Sequence, residues 1–193
     1  MFQLKVREIM GCLLVSMPYN ALADDVATPP TKSDQNTCVV AIKAPAPKKY
    51  LQQQVISVPD QELNHDIWLG VTQQRMTDTK LCNGDLLVLK NAYFMQDSYG
   101  LNGEGRGYNI YITDKGDQIV IKTTSIASYK EGGAAVSHTE TTGKIISGTG
   151  PYENITGTYK SIGESNRFKH KTKTIEQTVT IIFPSEETKV ASK

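Results

Sequence analysis

The sequence has few of the residues that mark metal sites and thiol redox centres, and it has no excess of the basic residues that mark nucleic-acid surfaces. It contains three cysteines, and none of them forms a Cys-x-x-Cys pair. The histidines His65, His138 and His170 are scattered, so the ligand spacing of a zinc site is missing. Lysine plus arginine total 21 against 20 for aspartate plus glutamate, a balance that argues against an electrostatic nucleic-acid binder. We therefore expect no metal, no cofactor and no nucleic-acid partner.

The sequence also lacks a run of about 20 apolar residues, so it predicts no membrane-spanning helix in the mature chain. A shorter apolar run, Ile9 to Val15, follows a basic start and precedes Ala21-Leu22-Ala23. These three parts form the signature of a secretory signal peptide over 1–23, which predicts a periplasmic or secreted protein. An N-terminal core helix is the alternative, but Pro18 and the polar residues after Ala23 leave it no continuing apolar face.

Removing the leader also removes Cys12 and leaves Cys38 and Cys82. An even pair in an exported chain predicts one disulfide, which would stabilise the fold by about 4 kcal/mol in the chain-entropy model. Two unrelated buried thiols are the alternative.

The segments at the two ends of the mature chain are poor in core-forming residues. Residues 24–50 form a proline-rich arm in which only Cys38-Val39-Val40-Ala41-Ile42 could make a short strand. Residues 185–193 form a polar tail after Pro184. We therefore assign the folded domain to residues 51–184.

Within this domain the apolar residues follow the period of β-strands, and no segment predicts a convincing helix. Asp66 to Met76 alternates between two faces, and Asp85 to Phe94 is apolar on both faces at Leu86-Leu87-Val88-Leu89. Asp114-Lys115-Gly116-Asp117 separates two β-branched runs, which is a specific hairpin signal. About eight short strands result, an all-β pattern typical of a sandwich or barrel.

Two other segments suggest sites but favour plainer interpretations. The glycines from Gly100 to Gly107 predict a loop, and a strand follows where a phosphate-binding loop would need a helix. The basic run Arg167 to Lys173 contains one aromatic residue for stacking. We therefore interpret it as a solvated hairpin tip.

One segment carries a family resemblance. Ile146 to Tyr159 contains Gly148, Gly150, Tyr152, Ile155 and Gly157 at the spacing of a glycine motif. It resembles the motif of the allene oxide cyclase and dirigent superfamily, including exported bacterial members. We expect the first two glycines to allow a sharp turn, Tyr152 to plug one end of the barrel, and Gly157 to permit close packing.

The resemblance implies an eight-stranded antiparallel β-barrel, lipocalin-like in shape, preceded by an N-terminal arm. Plant members of the superfamily cyclise an unstable epoxide or guide the coupling of phenoxy radicals, commonly as trimers or dimers, so a homo-oligomer is implied as well. Their catalytic residues do not match this sequence position by position, so no catalytic residue is assigned.

Two functional hypotheses of different class follow. The first is a non-enzymatic module that holds a small apolar ligand or contacts an envelope protein. The second is a cofactor-free isomerase, cyclase or dirigent-type protein. The side chains expected to line the cavity are Trp68, Tyr93, Arg106, Tyr111, His138 and Glu140. His138 and Glu140 share a strand face, which suits acid-base catalysis or, alternatively, a solvated polar stripe.

Overall fold

The computed structural model describes residues 31–32, 36–42, 49–59, 65–100, 102–129, 136–166 and 171–185. The predicted signal peptide, residues 167–170 of the basic run and residues 186–193 of the tail lie outside these ranges. The all-β prediction is confirmed. The strands are β1 (Thr31–Lys32), β2 (Thr37–Ala41), β3 (Lys49–Ser57), β4 (His65–Lys80), β5 (Leu86–Tyr99), β6 (Asn102–Thr113), β7 (Gln118–Tyr129), β8 (Val136–Gly148), β9 (Thr156–Asn166) and β10 (Lys171–Ile182).

All ten strands belong to one antiparallel sheet, in the order β1-β2-β10-β9-β8-β7-β6-β5-β4-β3. From β3 to β10, each strand pairs with the next strand in the chain, which is a meander. The short β2 is the exception, because it pairs with the last strand and places Val40 opposite Val179. The strand foreseen at Cys38 to Ile42 is therefore present and belongs to the sheet.

The predicted closure into an eight-stranded barrel is not found. The sheet rolls far enough for β2 to contact β4, but the described ladders leave β1 and β3 as its edges. The sheet thus has an open seam, by which we mean the contact between β2 and β4 where a closed barrel would have a ladder. Two features of β4 account for it. Its outer edge is occupied by β3 from Asp66 to Gln73, and beyond that a bulge interrupts the strand between Arg75 and Thr79, with Asp78 at φ 52°.

A disulfide crosses this seam. Cys38 of β2 and Cys82, just beyond β4, are bonded with their Cα atoms 5.8 Å apart, which confirms the predicted pair. The covalent bond joins β2 to the turn after β4, a strand that the described ladders do not pair with β2.

The strands are longer than the sequence predicted, and β4 runs for 16 residues. The predicted glycine loop is wrong, because Gly103, Gly105 and Gly107 lie inside β6. These glycines alternate, so they share one face of the strand. A Cβ on Gly107 would lie 2.0 Å from the backbone oxygen of Tyr93, so glycine allows β5 to approach here.

The hairpin predicted around Asp114 is confirmed. β6 and β7 pair from Gly103 opposite Ala127 to Ile112 opposite Gln118. Gly116 supplies the left-handed backbone of the turn, with φ 88°.

The apolar core lies at the end of the roll where this hairpin turns, which we call the packed end. Tyr152 occupies a short 3-10 turn between β8 and β9 and is fully buried there. The larger members of the core are Ile42, Met76, Leu81, Leu87, Tyr111, Ile119, Ile121, Ile145, Tyr152, Ile155, Tyr159 and Ile181. In the described ranges, no helix is long and apolar enough to cross a membrane.

Candidate functional site

Four polar side chains meet inside the rolled sheet, next to the apolar core. They come from four strands: Lys90 from β5, Tyr111 from β6, Tyr159 from β9 and Gln177 from β10. All four residues are at most 8% exposed. We call this set the interior polar cluster. Buried polar groups are costly unless they are paired, so their contacts decide what the cluster can do.

A β-bulge turns Lys90 into the interior. Leu87 faces the core opposite Thr113, whereas Leu89 pairs with Ile112 on the other face. One extra residue on β5 at this point reverses the alternation, so Lys90 faces inward opposite Tyr111. Regular alternation from Leu87 would have directed the Lys90 side chain outward, so the bulge is what brings its ammonium group into the interior.

The cluster is held together by the amide of Gln177 and the two phenols. Gln177 Nε2 donates a hydrogen bond to Tyr111 Oη at 2.8 Å and another to Tyr159 Oη. Lys90 Nζ donates to Tyr159 Oη at 3.4 Å and lies 5.5 Å from the Tyr111 ring centroid. The ammonium is thus in contact with a phenol oxygen and aromatic rings, which give it cation–π stabilisation.

One polar atom of Gln177 has no partner. Its buried Oε1 finds no hydrogen-bond donor among the described residues. Turning the amide over would let Oε1 accept from both phenols, but it would leave Nε2 unpaired instead. In either orientation the site has an unsatisfied amide atom, on a residue that shares the Tyr159 hydroxyl with a buried ammonium.

The environment moves the pKa values of the two phenols in opposite directions. Burial raises the pKa of Tyr111 well above its ordinary value, and the neighbouring Tyr159 raises it further. Burial alone would also raise the pKa of Tyr159, but the charge of Lys90 and hydrogen bonds from neighbouring residues outweigh it and lower that pKa. Tyr159 is therefore the phenol that ionises first.

Beyond the cluster, toward the other end of the roll, the inner face carries small side chains. We call this region the far half. β6 contributes Gly103, Gly105 and Gly107, β7 contributes Thr123 and Ser125, and β8 contributes Thr139 and Thr141. Two aromatic residues stand on the same face. The Phe94 ring covers Gly70, and the indole Nε1 of Trp68 is buried with no partner in the described part of the chain.

The structure separates the six residues predicted to line a cavity. Tyr111 belongs to the interior polar cluster, and Trp68 lies on the inner face of the far half. Tyr93 pairs with Tyr108 and Arg106 with Met95 on the outer face, which is turned away from the core. His138 and Glu140 lie together on the outer face as well, with Nε2 4.0 Å from Oε1.

A second polar cluster lies at the packed end and has fully paired contacts. Asp85, only 2% exposed, accepts hydrogen bonds from Tyr152 Oη at 2.8 Å, from Asn83 Nδ2 at 2.9 Å and from Lys115 Nζ. The hydrogen bond from Lys115 is the main reason why the pKa of Asp85 is lowered. Because Asp85 is well satisfied, this cluster is suited to fixing the loops of the packed end.

Three members of the interior polar cluster escaped the sequence analysis: Lys90, Tyr159 and Gln177. Gln177 could have been found in the sequence, because it is a polar residue on the strand face on which Val179 and Ile181 are apolar. A polar residue within an apolar alternation is worth testing as a buried hydrogen-bonding group.

Within the described residues, no group of three or more His, Cys, Asp or Glu side chains is placed to hold a metal ion. Compared with known proteins, the chain matches no protein-family model, no curated protein sequence and no solved structure.

Proposed function

We propose that the protein binds a small molecule inside the rolled sheet, with the ligand's polar head on the interior polar cluster. The carrying observation is the unpaired amide atom of Gln177, a residue that shares the Tyr159 hydroxyl with the buried Lys90 ammonium. An unsatisfied buried polar atom costs about 1–3 kcal/mol, and a ligand that pairs with it recovers this cost.

The contacts favour a particular head group. Lys90 offers a proton to an acceptor such as a carboxylate or carbonyl oxygen, and Gln177 Oε1 offers an acceptor to a donor. The remainder of the ligand would lie along Phe94 and Trp68 on the inner face of the far half. The ligand class is therefore a small amphiphile with an apolar body and an amide head, which pairs with Oε1, or an anionic head, which pairs with Nε2 when the Gln177 amide is turned over.

Trp68 is the only tryptophan, so its fluorescence reports occupation of this region. The test titrates the protein with the anionic dye anilinonaphthalene sulfonate and with the uncharged dye N-phenyl-1-naphthylamine. Lys90→Met should weaken binding of the anionic dye by about tenfold to a hundredfold, because a charge-assisted hydrogen bond is lost. Binding of the uncharged dye should change little.

Lys122→Met is the matched control, since Lys122 is exposed on the outer face of β7. Equal weakening of the anionic dye by both substitutions, or by neither, would contradict the proposed site. Native mass spectrometry of protein purified from its own cells should show a retained small molecule, and the Lys90→Met variant should lose it.

A second candidate, a cofactor-free isomerase or cyclase, is favoured by the opposed pKa shifts of the two phenols. Two neighbouring titratable groups that are pushed apart in this way can act as base and acid in one reaction. Tyr159, as the phenolate favoured by the charge of Lys90, would accept a proton from the ligand, and Tyr111 would donate one. Deuterium exchange at the α-carbons of a panel of ketones tests this role, and Tyr159→Phe should abolish any exchange.

We also propose that the mature protein is exported and is a distant, open-seamed relative of the allene oxide cyclase and dirigent proteins. The Cys38–Cys82 disulfide supports an oxidising compartment. The burial of Tyr152 between β8 and β9 is consistent with the motif that suggested the family. Mass spectrometry of the protein from its own cells, alkylated without reductant, should show a chain starting at Asp24 with both cysteines unmodified.

A further inference from the structure

The two edges of the sheet differ in length and exposure. β1, at one edge, has two residues, whereas β3, at the other edge, has nine residues that are all exposed. Among the described strands, β3 pairs with β4 alone. A long edge strand presents unpaired backbone groups to any chain that can align with it.

The backbone groups that face this open edge can be assigned. The Val58 N–H donates to the His65 carbonyl oxygen at 3.0 Å, so Val58 directs its backbone groups toward β4. Because these groups alternate along a strand, those of Gln53, Val55 and Ser57 point away from β4. Three residues thus offer both a donor and an acceptor to a further strand.

The edge lacks the usual protection. Natural edge strands carry charged residues, proline or very short lengths that discourage pairing, but every residue from Tyr50 to Val58 is uncharged and none is proline. Val55 is 44% exposed and Ile56 is 43% exposed, so the edge is also partly apolar. A bulge at Leu51 limits the regular part of the strand to Gln52–Ser57.

We propose that β3 pairs antiparallel with β3 of a second copy of this chain, forming one sheet through a two-fold axis. The uncharged stretch favours a second copy, because a two-fold axis within Gln52–Ser57 never places Lys49, the one charged residue of β3, opposite Lys49 of the other copy. The arrangement also closes. Among the strands that the structure describes, each chain has one such edge and its other edge strand, β1, is two residues long, so the assembly ends at a dimer.

Sedimentation velocity of the full chain over a range of concentrations tests the assembly, and hydrogen exchange locates it. A dimer should appear as concentration rises. The amides of Gln53, Val55 and Ser57 should become protected in parallel, while those of Gln52, Gln54 and Ile56, which face β4, serve as internal controls. A monomer at all concentrations, or protection that does not change with concentration at these three amides, would overturn the proposal.

Val55→Lys should weaken the dimer at least about tenfold. Each copy then carries a lysine in the paired part of β3, so two positive charges lie close to the two-fold axis. Ile126→Lys is the matched control, because Ile126 is 63% exposed on the outer face, away from the edge. Equal disruption by Ile126→Lys would assign the contact to the outer face and overturn the β3 pairing. Gln53→Lys provides a second edge variant if Val55→Lys does not fold, and species larger than a dimer would contradict closure.

Discussion

The packed end and the far half belong to the same strands and the same ladders, yet their inner faces differ. At the packed end, β7 turns Ile119 and Ile121 inward. Farther along the same face, β7 carries Thr123 and Ser125. The difference shows that one continuous sheet can bury its large apolar side chains at one end and carry small polar side chains at the other.

The energetic contrast follows from side-chain size. Burying an isoleucine side chain contributes about 1.5–3 kcal/mol, whereas glycine and serine bury little apolar surface. The far half therefore depends on its backbone ladders and on the packed end for its stability. The interior polar cluster lies at the junction of these two regions, where Tyr111 and Tyr159 contribute both to the core and to the proposed site.

The largest effect is expected at the disulfide that joins the seam near the packed end. Replacing Cys38 and Cys82 together by alanine should lower the free energy of unfolding by about 4 kcal/mol, because the unfolded chain loses a loop constraint. Urea unfolding measures this loss. Wild-type protein unfolded in the presence of reductant should match the double variant, and unchanged stability in both would show that the noncovalent contacts between β2 and β4 hold the seam without the bond.

In the far half, Gly107→Ala should cost about 3 kcal/mol, at the upper end of the usual overpacking penalty. Its new methyl group would lie 2.0 Å from the Tyr93 backbone oxygen, which cannot move away without displacing β5. Gly105→Ala is the matched control, because its methyl group would meet the Ser125 hydroxyl, which can rotate. Equal urea midpoints for the two variants would contradict this account of close strand approach.

At the packed end, Tyr152→Phe should cost about 1–3 kcal/mol, because the buried Asp85 carboxylate loses one hydrogen-bond donor. Tyr108→Phe, in which the altered side chain is 44% exposed, should change stability by less than about 0.5 kcal/mol. Thermal and urea unfolding compare the two. A cost as small as that of the control would mean that the second polar cluster does not fix the loops.

The smallest effect is a change with pH. The pKa of Asp85 is lowered in the folded protein, chiefly by the hydrogen bond from Lys115. Its contribution to stability is therefore present above the unfolded value of about 4 and is lost as pH falls through the folded value. Between pH 7 and pH 3 the wild type should lose more stability than Asp85→Asn, and equal losses would contradict this role.

The parts of the fold that could be predicted from sequence depend on local signals. Alternation and turn residues identified the hairpin around Gly116, and the cysteine count identified the disulfide. The open seam was missed because it depends on which strand occupies the free edge of β4, a contact between distant segments. The glycines of β6 were misread as a loop, although their spacing of two is the period of a strand.

The candidate site was harder to predict for a physical reason. A straight strand would have turned Lys90 outward from the face that Leu87 occupies, and one bulged residue reverses it. Conversely, His138 and Glu140 share a face as expected, but sequence could not decide which face of β8 is inner. The structure decides it: Ser137 and Ile145, at odd-numbered positions of β8, are buried, so the even-numbered His138 and Glu140 face outward.

The pairing of β2 with β10 has a consequence for the order of folding. Nearly the whole described chain separates Val40 from its partner Val179. When the chain enters its compartment N-terminus first, β2 arrives long before β10, and contacts between such distant positions form slowly. The meander can form as each strand arrives, but the first core strand has no ladder to join until the last one is made. A chain that is cut short before β10 should therefore leave both β2 and the edge of β9 exposed.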